Sequence, residues 1–301
     1  MTNIPPKVSI ITINFNGTAV TAALLASLQK ISYPSIEVIV VDNSNKEPGY
    51  QLPIDYPWIK YINTGENLGF AGGNNKGIEA ATGDYLFLLN NDTEVAPDFL
   101  EPLVNRMESD KQIGVICPKI LYYDEPDTIQ FAGFSPISPI TGRGFSIGYL
   151  EKDKGQHDTA MPTSRAHGAA MMFSRAAFDK VGLMAELFFL YYEEMDYCER
   201  FKRAGYTIWY EPASKVWHKE SISTGKGSTL KTYYYSRNRL LYLRRNTFGI
   251  QKLLMYLYYF CIAVPKNLIG YILKADWNHL KAFWKGLIWN FSNTSKDKHD
   301  K

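Results

Sequence analysis

Two near-continuous apolar, β-branched runs, Val8–Phe15 and Ile36–Val41, bracket an Ala/Leu-rich stretch of helical character, Thr18–Lys30, and Pro34 ends the connection. Runs without polar alternation suit parallel strands covered on both faces, so this is a β-α-β unit. The pattern continues. Trp58–Asn63 predicts a third strand, Ala71–Ala81 a helix, Tyr85–Leu89 a fourth strand, Pro97–Ser109 a helix with proline near its start, and Ile113–Cys117 a fifth strand. Such alternation predicts an open α/β sheet of doubly wound type, whose ligands sit at the carboxyl ends of strands. Asp42 follows strand two and Asp92 follows strand four, which puts both on that edge.

Farther along, Phe131–Met161 is rich in Gly, Ser and Pro and predicts loops beside the site. Ala169–Phe173 predicts a strand, Arg175–Lys180 a helix, Glu193–Ala204 a helix capped by Gly205, and Tyr206–Tyr210 a short strand. After about Gly225 the chain turns basic and aromatic, which predicts one unit over residues 1–225 and a helical extension over 226–301. Charge supports the division. Residues 226–301 carry 14 Lys/Arg against 3 Asp, a net +11, leaving 19 basic and 27 acidic residues before them. Such asymmetry points to a basic segment with an anionic partner. Cys117, Cys198 and Cys261 are widely spaced and form no C-x-x-C pair, so neither a disulfide framework nor a zinc site is indicated. A reducing cytosol fits, and no secretory signal is read at the N-terminus.

The chemistry-bearing stretch is Asn67-Leu-Gly-Phe-Ala-Gly-Gly-Asn-Asn75, followed by Tyr85–Leu89 and then Asn90-Asn91-Asp92. Glycines let a backbone approach a bulky polar ligand, and a carboxylate past a strand end can hold a divalent cation. The order suggests an enzyme of activated phosphate esters. Val41-Asp42-Asn43-Ser44 is ordinary turn chemistry, yet its carboxylate can also accept from a base or ribose. Glu193-Glu194-Met195-Asp196 opens a helix after Phe188–Tyr192. Helix dipoles favour acids there, but crowded carboxylates beside aromatics also raise one another's pKa, as a general base requires. Asp196 and Arg200 are spaced to pair at i,i+4. Trp217-His218 follows Pro212 and gains a function only if the fold returns it to Asp92.

Taken in order, Val8–Gly17, Val41–Ser44, Asn67–Asn75, Leu88–Thr93 and Tyr192–Arg200 resemble the inverting glycosyltransferase family 2, particularly its bacterial rhamnosyltransferase-like members. The resemblance covers roughly residues 7–245. It implies a GT-A fold: a Rossmann-like mixed, mainly parallel sheet flanked by helices. It also implies a nucleotide-diphospho-sugar donor, dTDP-rhamnose first among the possibilities. Asp42 and Asn43 match the base-holding position, with Thr12 and Asn14 lining the nucleotide pocket. Asn67, Gly69 and Gly73 match the loop around ribose and diphosphate. Asn91 is expected to contact the nucleotide sugar beside Asp92, which matches the last acid of the D-x-D motif, although Asn90 stands where many relatives have Asp. His218 matches a further metal-ligand position, so Mg²⁺ or Mn²⁺ is implied. Glu194 matches the usual base, one methylene longer than the common Asp, and Glu193 stays open as the alternative.

Tyr233-Tyr-Tyr-Ser-Arg-Asn-Arg239 resembles a segment of the same relatives, and the planar forks of Arg237 and Arg239 suit phosphate or acceptor contact. Leu253–Val264 is an apolar run of twelve residues closed by Pro265. It is too short to span a bilayer, which predicts an interfacial, re-entrant or buried segment. Trp277, Leu280, Trp284, Leu287 and Phe291 form an apolar stripe with Lys274, Lys281 and Lys285 close by. That pattern predicts a tail on an anionic membrane surface, near a glycan acceptor carried by polyprenyl diphosphate, or a stripe docked on the protein or a second subunit. The enzyme is then cytoplasmic and peripheral on the inner face of the cell membrane. A nicotinamide dehydrogenase would need G-x-G-x-x-G after strand one, where the chain has only Asn16-Gly17. No nucleic-acid module is recognised. A non-catalytic glycan- or nucleotide-binding protein on the same fold is the alternative.

Overall fold

The computed structural model describes residues 5–219 and 227–300. Elements follow in the order β1 (Val8–Asn14), α1 (Thr18–Leu28), β2 (Ile36–Asp42), α2 (Leu52–Asp55), β3 (Lys60–Asn63), α3 (Gly69–Ala80), β4 (Tyr85–Leu89), β5 (Thr93–Val95) and α4 (Leu100–Ser109). Then come β6 (Ile113–Tyr122), β7 (Ile129–Phe131), β8 (Met161–Pro162), β9 (Ala170–Ser174), α5 (Arg175–Val181), α6 (Glu193–Arg203) and β10 (Thr207–His218). The chain ends in α7 (Thr229–Asn246), α8 (Gly249–Tyr258), α9 (Val264–Leu273) and α10 (Trp277–Ser292).

The strands join one sheet in the order β3-β2-β1-β4-β9-β6-β10-β5, with β7 beside β6 and β8 beside β10. β3, β2, β1 and β4 run parallel, as their unbroken apolar runs require. The sheet is nevertheless mixed, because β9 enters antiparallel to both β4 and β6. The carboxyl ends of β1, β2 and β4 therefore share an edge with the amino end of β9, where Leu89 pairs with Ala170. Leu24, Leu25, Ile78, Leu103 and Val104 from the flanking helices bury themselves against Ile10, Val40, Phe87 and Ile116.

One strand departs from expectation. The short strand read at Tyr206–Tyr210 continues through Pro212 to His218, pairing parallel with β6 and, at its end, antiparallel with β5. Proline cannot donate to a ladder, and the register shifts between Glu211 and Lys215, so Pro212 sits in an irregularity rather than at a terminus. That extension carries His218 opposite Thr93, next to Asp92.

The expected boundary at 225/226 falls outside the described residues. On its far side, Leu240–Leu243, Met255, Tyr259 and Leu287 share one hydrophobic cluster with Ala185, Phe188 and Met195. α7 crosses α10 at Gly286, where a Cβ would lie 2.3 Å from Ser236 Oγ. Phe283 and Leu287 face inward at that crossing, whereas Trp277, Trp284 and Phe291 point outward. The stripe is thus divided between docking and exposure. Pro265 does not close the preceding run either. A π-helical turn, Tyr259–Ala263, links α8 to α9 and puts Pro265 in the first turn of α9, where a missing N–H is tolerated. Gly249–Leu273 is consequently one helix of 25 residues, long and apolar enough by length and composition to cross a membrane.

Candidate active site

Asn14 and Asp42 are register partners at the ends of β1 and β2. Asn14 Nδ2 donates to Asp42 Oδ1 at 3.1 Å and Ser44 Oγ at 3.2 Å. Its Oδ1 accepts from Thr21 Oγ1 at 2.9 Å, and Thr21 Oγ1 accepts from Asn91 Nδ2 at 2.9 Å. This relay ties Asp42 to the turn that carries Asp92. Burial alone would push the Asp42 carboxyl up, but hydrogen bonds from Ser44, Tyr61 and Gly49 outweigh it and hold it below its usual value. Ser44 N and Asn14 meet one oxygen, Gly49 N and Tyr61 Oη the other. The carboxylate is fully buried and its four acceptor directions are occupied by protein. In this arrangement Asp42 organises the edge. Thr12 is equally buried, and its hydroxyl finds no hydrogen-bond partner among the described residues.

The glycine loop is also used by the protein itself. Asn67 Oδ1 accepts from Gly69 N at 2.9 Å, and Gly69 adopts a φ of +70°. A Cβ at Gly69 would lie 2.4 Å from Phe189 O, and one at Gly73 would lie 2.6 Å from Asn43 Nδ2. Asn43 Nδ2 donates to Gly69 O, while Phe70 N donates to Phe189 O. Gly69 and Gly73 thus permit close approach of the 189 turn and of Asn43, just past β2.

That turn leads to the acid pair. Phe189, Tyr191 and Tyr192 all have positive φ, between 64° and 75°, a conformation costly for residues with a Cβ. It persists because Asn238 Nδ2 donates to the carbonyls of Phe188, Leu190 and Tyr191. Arg237 Nη2 donates to Leu187 O and Phe188 O, and Arg239 donates through Nε and Nη2 to Thr141 O. Both arginines are buried with these carbonyls. In this structure Arg237 and Arg239 brace the turn and Thr141.

Glu193 and Glu194 diverge at the start of α6. Glu193 is buried and its Oε2 has no hydrogen-bond partner among the described residues. Burial first, and the neighbouring Glu194 second, push its carboxyl up to about 8. Glu194 is partly open, and its Oε1 accepts from Arg165 Nη1 at 3.1 Å. Arg165 in turn lies over the Phe134 ring at 4.0 Å. The i,i+4 pair expected on the same helix does not form. Asp196 binds Arg245 at 2.8 Å, and Arg200 donates to Val181 O and Leu183 O.

At the other flank, His218 Nε2 lies 3.2 Å from Asp92 Oδ1, and His218 Nδ1 lies 2.8 Å from Gln130 Oε1. If Nδ1 donates to Gln130, Nε2 turns a lone pair toward the carboxylate. Asp92 Oδ1 is buried and makes no hydrogen bond among the described residues. Two electron-rich atoms facing each other across that gap fit a bound cation or an imidazolium proton, and the Nδ1 bond is the usual outer support of a ligating imidazole. The set has two donors. Among the described residues no third His, Cys, Asp or Glu joins them. A cation here would need substrate oxygens or water, and a mixed oxygen and nitrogen set suits Mn²⁺ better than Mg²⁺.

The segment Arg165–Ala169 joins the two flanks. The His167 ring centroid is 6.0 Å from that of His218. A Cβ on the adjacent Gly168 would lie 3.7 Å from Glu194 Cγ, and Ala169 O accepts from Asn90 N at 2.9 Å. Burial, reinforced by Arg165 and His218, keeps His167 well below its usual pKa and hence neutral. Sequence reasoning missed Arg165, His167 and Gln130, since no local motif singles them out, and assigned no role to Asn238 within the Tyr233–Arg239 segment. A basic residue and a histidine just before a buried strand were the available signal.

The family described as Glycosyl transferase family 2 matches residues 9–182, more than half of the chain. The low-salt glycan biosynthesis hexosyltransferase Agl10 of Haloferax volcanii is 29% identical over 241 residues, covering 77% of this chain and 74% of that protein. The N-acetylglucosaminyl-diphospho-decaprenol L-rhamnosyltransferase of Mycobacterium tuberculosis is 24% identical over 224 residues, covering 67% and 72%. Among solved structures, GalNAc-T7 with UDP, GalNAc and Mn²⁺ superposes with a TM-score of 0.60 at 18% identity, covering 74% of this chain and 45% of that one. The last likeness shows a common GT-A fold.

Proposed function

The chain belongs to glycosyl transferase family 2, and from that premise we propose that it moves a sugar from a nucleotide-diphospho-sugar to a hydroxyl of a glycan acceptor, with inversion. The observation that carries this reading is the meeting of the Asp92–His218 pair and the Glu194–Arg165 pair on one segment, Arg165–Ala169, at the carboxyl edge of the sheet.

Glu194 is the general base in this reading, because it is the member of the pair open to an acceptor. It takes the proton of the acceptor hydroxyl as that oxygen bonds to the anomeric carbon. The bond from that carbon to the diphosphate oxygen breaks, and its electron pair leaves with the nucleoside diphosphate. Such base assistance contributes about 10²–10⁴-fold. Arg165 holds the carboxylate in place. Glu193, buried and protonated around neutral pH, spares Glu194 a second negative charge. Asp92 and His218 would hold a divalent cation, Mn²⁺ or Mg²⁺, which offsets charge on the leaving diphosphate. Thr12, Asn14, Asn43 and Asn67 shape the nucleotide edge. Asp42 reaches the base only if Tyr61 or Gly49 yields its bond.

The relatives' names supply the finer reading. We take a deoxyhexose such as rhamnose from its dTDP donor as the first sugar to test, and a glycan on polyprenyl diphosphate as the acceptor, in cell-surface polysaccharide synthesis. Helix Gly249–Leu273 leaves Ile250, Leu253, Leu257 and Ile269 more than half exposed. With Lys252 and Lys266 on that helix and Lys274 just past its end, it suits an anionic membrane surface on the cytoplasmic side, where that acceptor resides. Incubating the full chain with a panel of nucleotide sugars, with and without Mn²⁺, tests the reading. Metal-dependent release of one nucleoside diphosphate supports it. Release from none of the panel, with or without lipid-linked acceptor, overturns it.

A further inference from the structure

A basic cavity lies away from the sheet edge. It encloses about 390 Å³ and is lined by Lys180, Arg200, Arg203, Arg244, Arg245 and Lys296. Arg200 and Arg203 stand on the C-terminal half of α6, nine residues beyond Glu194 in the case of Arg203, which is about 14 Å along a helix axis. Gathering cations costs Coulomb energy unless anions meet them. Here the structure meets them mainly with neutral oxygens. Arg200 donates to Val181 O and Leu183 O, Arg203 Nη1 to Asn246 Oδ1, and Arg244 to Asn290 O and Asn293 O. Lys180 rests on the Tyr206 ring at 5.0 Å. These bonds aim the side chains without neutralising them. Arg245 differs, since it is clasped by Asp196 behind it and by Asp300 in the cavity wall.

We propose that this cavity is an anion site for a phosphate-bearing group, a lipid headgroup or a soluble phosphate, and that Asp300 holds its place on Arg245 until such a group arrives. Planar guanidinium forks favour phosphate oxygens. Position favours the lipid source: Lys252, in the first turn of α8, donates to Arg244 O, and exposed Phe248 and Ile250 lie between the two. Headgroup and apolar helix would thus be engaged together. The site does not depend on the donor reading, because none of its residues belongs to the Asp92 and Glu194 flanks.

The test compares Lys180→Gln/Arg203→Gln/Lys296→Gln with the equally charged control Lys30→Gln/Lys46→Gln/Lys154→Gln, all in full-length protein. Asp92→Asn is added to both, so that diphosphate at the sheet edge does not contribute. The probes are inorganic pyrophosphate by calorimetry, and phosphatidylcholine vesicles with and without phosphatidylglycerol by co-sedimentation. The cavity variant should bind at least about tenfold more weakly than the control to one probe. Loss confined to pyrophosphate assigns a soluble phosphate; loss of phosphatidylglycerol-dependent sedimentation assigns a lipid headgroup. Asp300→Asn alone should tighten the same probe severalfold. Equal binding of both probes by the cavity and control variants removes the site, whatever the transferase assays show.

Discussion

His218 Nε2 faces Asp92 Oδ1 across 3.2 Å, and Gln130 supports the far side of the imidazole. If the pair holds the cation, His218→Ala and Asp92→Asn should each weaken Mn²⁺ binding by more than the about 10–100-fold typical of losing an outer partner. Gln130→Ala should produce a smaller loss, because it frees the ring without removing a donor. Paramagnetic resonance of Mn²⁺ in the presence of donor reads this without turnover. Wild-type affinity in both His218→Ala and Asp92→Asn would assign the contact to an ordinary ion pair.

Glu193 offers a pH test. Its carboxyl is raised in the folded protein to about 8 from a usual 4.5. Between those values the folded state keeps a proton that the unfolded chain has lost, so this group's stabilising contribution falls as pH rises through that window. Glu193→Gln cannot ionise. Its melting temperature should therefore gain on wild type steadily from about pH 5 to about pH 8, as scanning calorimetry would show. A gap that stays flat, or narrows with pH, contradicts a buried protonated acid.

Asn238 holds three carbonyls of the left-handed turn before the acid pair. Replacing it with Ala should cost about 1–3 kcal/mol in urea unfolding, the usual loss when buried polar groups are left unpaired. Turnover should fall while the donor KM stays near wild type, because the turn aims Glu194 rather than binding nucleotide. A rise in donor KM with unchanged turnover would mean that the turn serves the nucleotide instead.

The outer face of the long helix should bind lipid. Ile250→Ser/Leu253→Ser/Leu257→Ser/Ile269→Ser alters exposed positions only, so the circular dichroism spectrum should persist while flotation with anionic liposomes is lost. Each apolar side chain is worth about 1.5–3 kcal/mol when buried. Truncating the chain before Gly249 is a poorer test, since Met255, Tyr259 and Leu287 are part of a shared core. Flotation equal to wild type would send this face to another partner.

Much of the architecture was legible because period and length carry it. Buried parallel strands announce themselves in Val8–Asn14 and Ile36–Asp42, and the turn chemistry after them places Asp42 and Asp92 on one edge. What was not legible depends on where donors end up. A guanidinium on the sequence looks equally ready for phosphate or for a backbone carbonyl, and only folding shows that Arg237 and Arg239 took carbonyls. The i,i+4 rule paired Asp196 with Arg200, but Arg245, 49 residues away, offered a bidentate fork and won. Pro265 looks like a terminator of its apolar run, and the strand read at Tyr206–Tyr210 stops short of Pro212. A register shift and a π-turn each absorbed one proline, which lengthened β10 to reach Asp92 and joined α8 to α9.

The most direct test of the account is turnover by Glu194→Gln with the nucleotide sugar that the donor screen identifies. The account predicts transfer reduced by at least about 100-fold, with donor and Mn²⁺ still bound as in wild type. Wild-type turnover in that variant would contradict it.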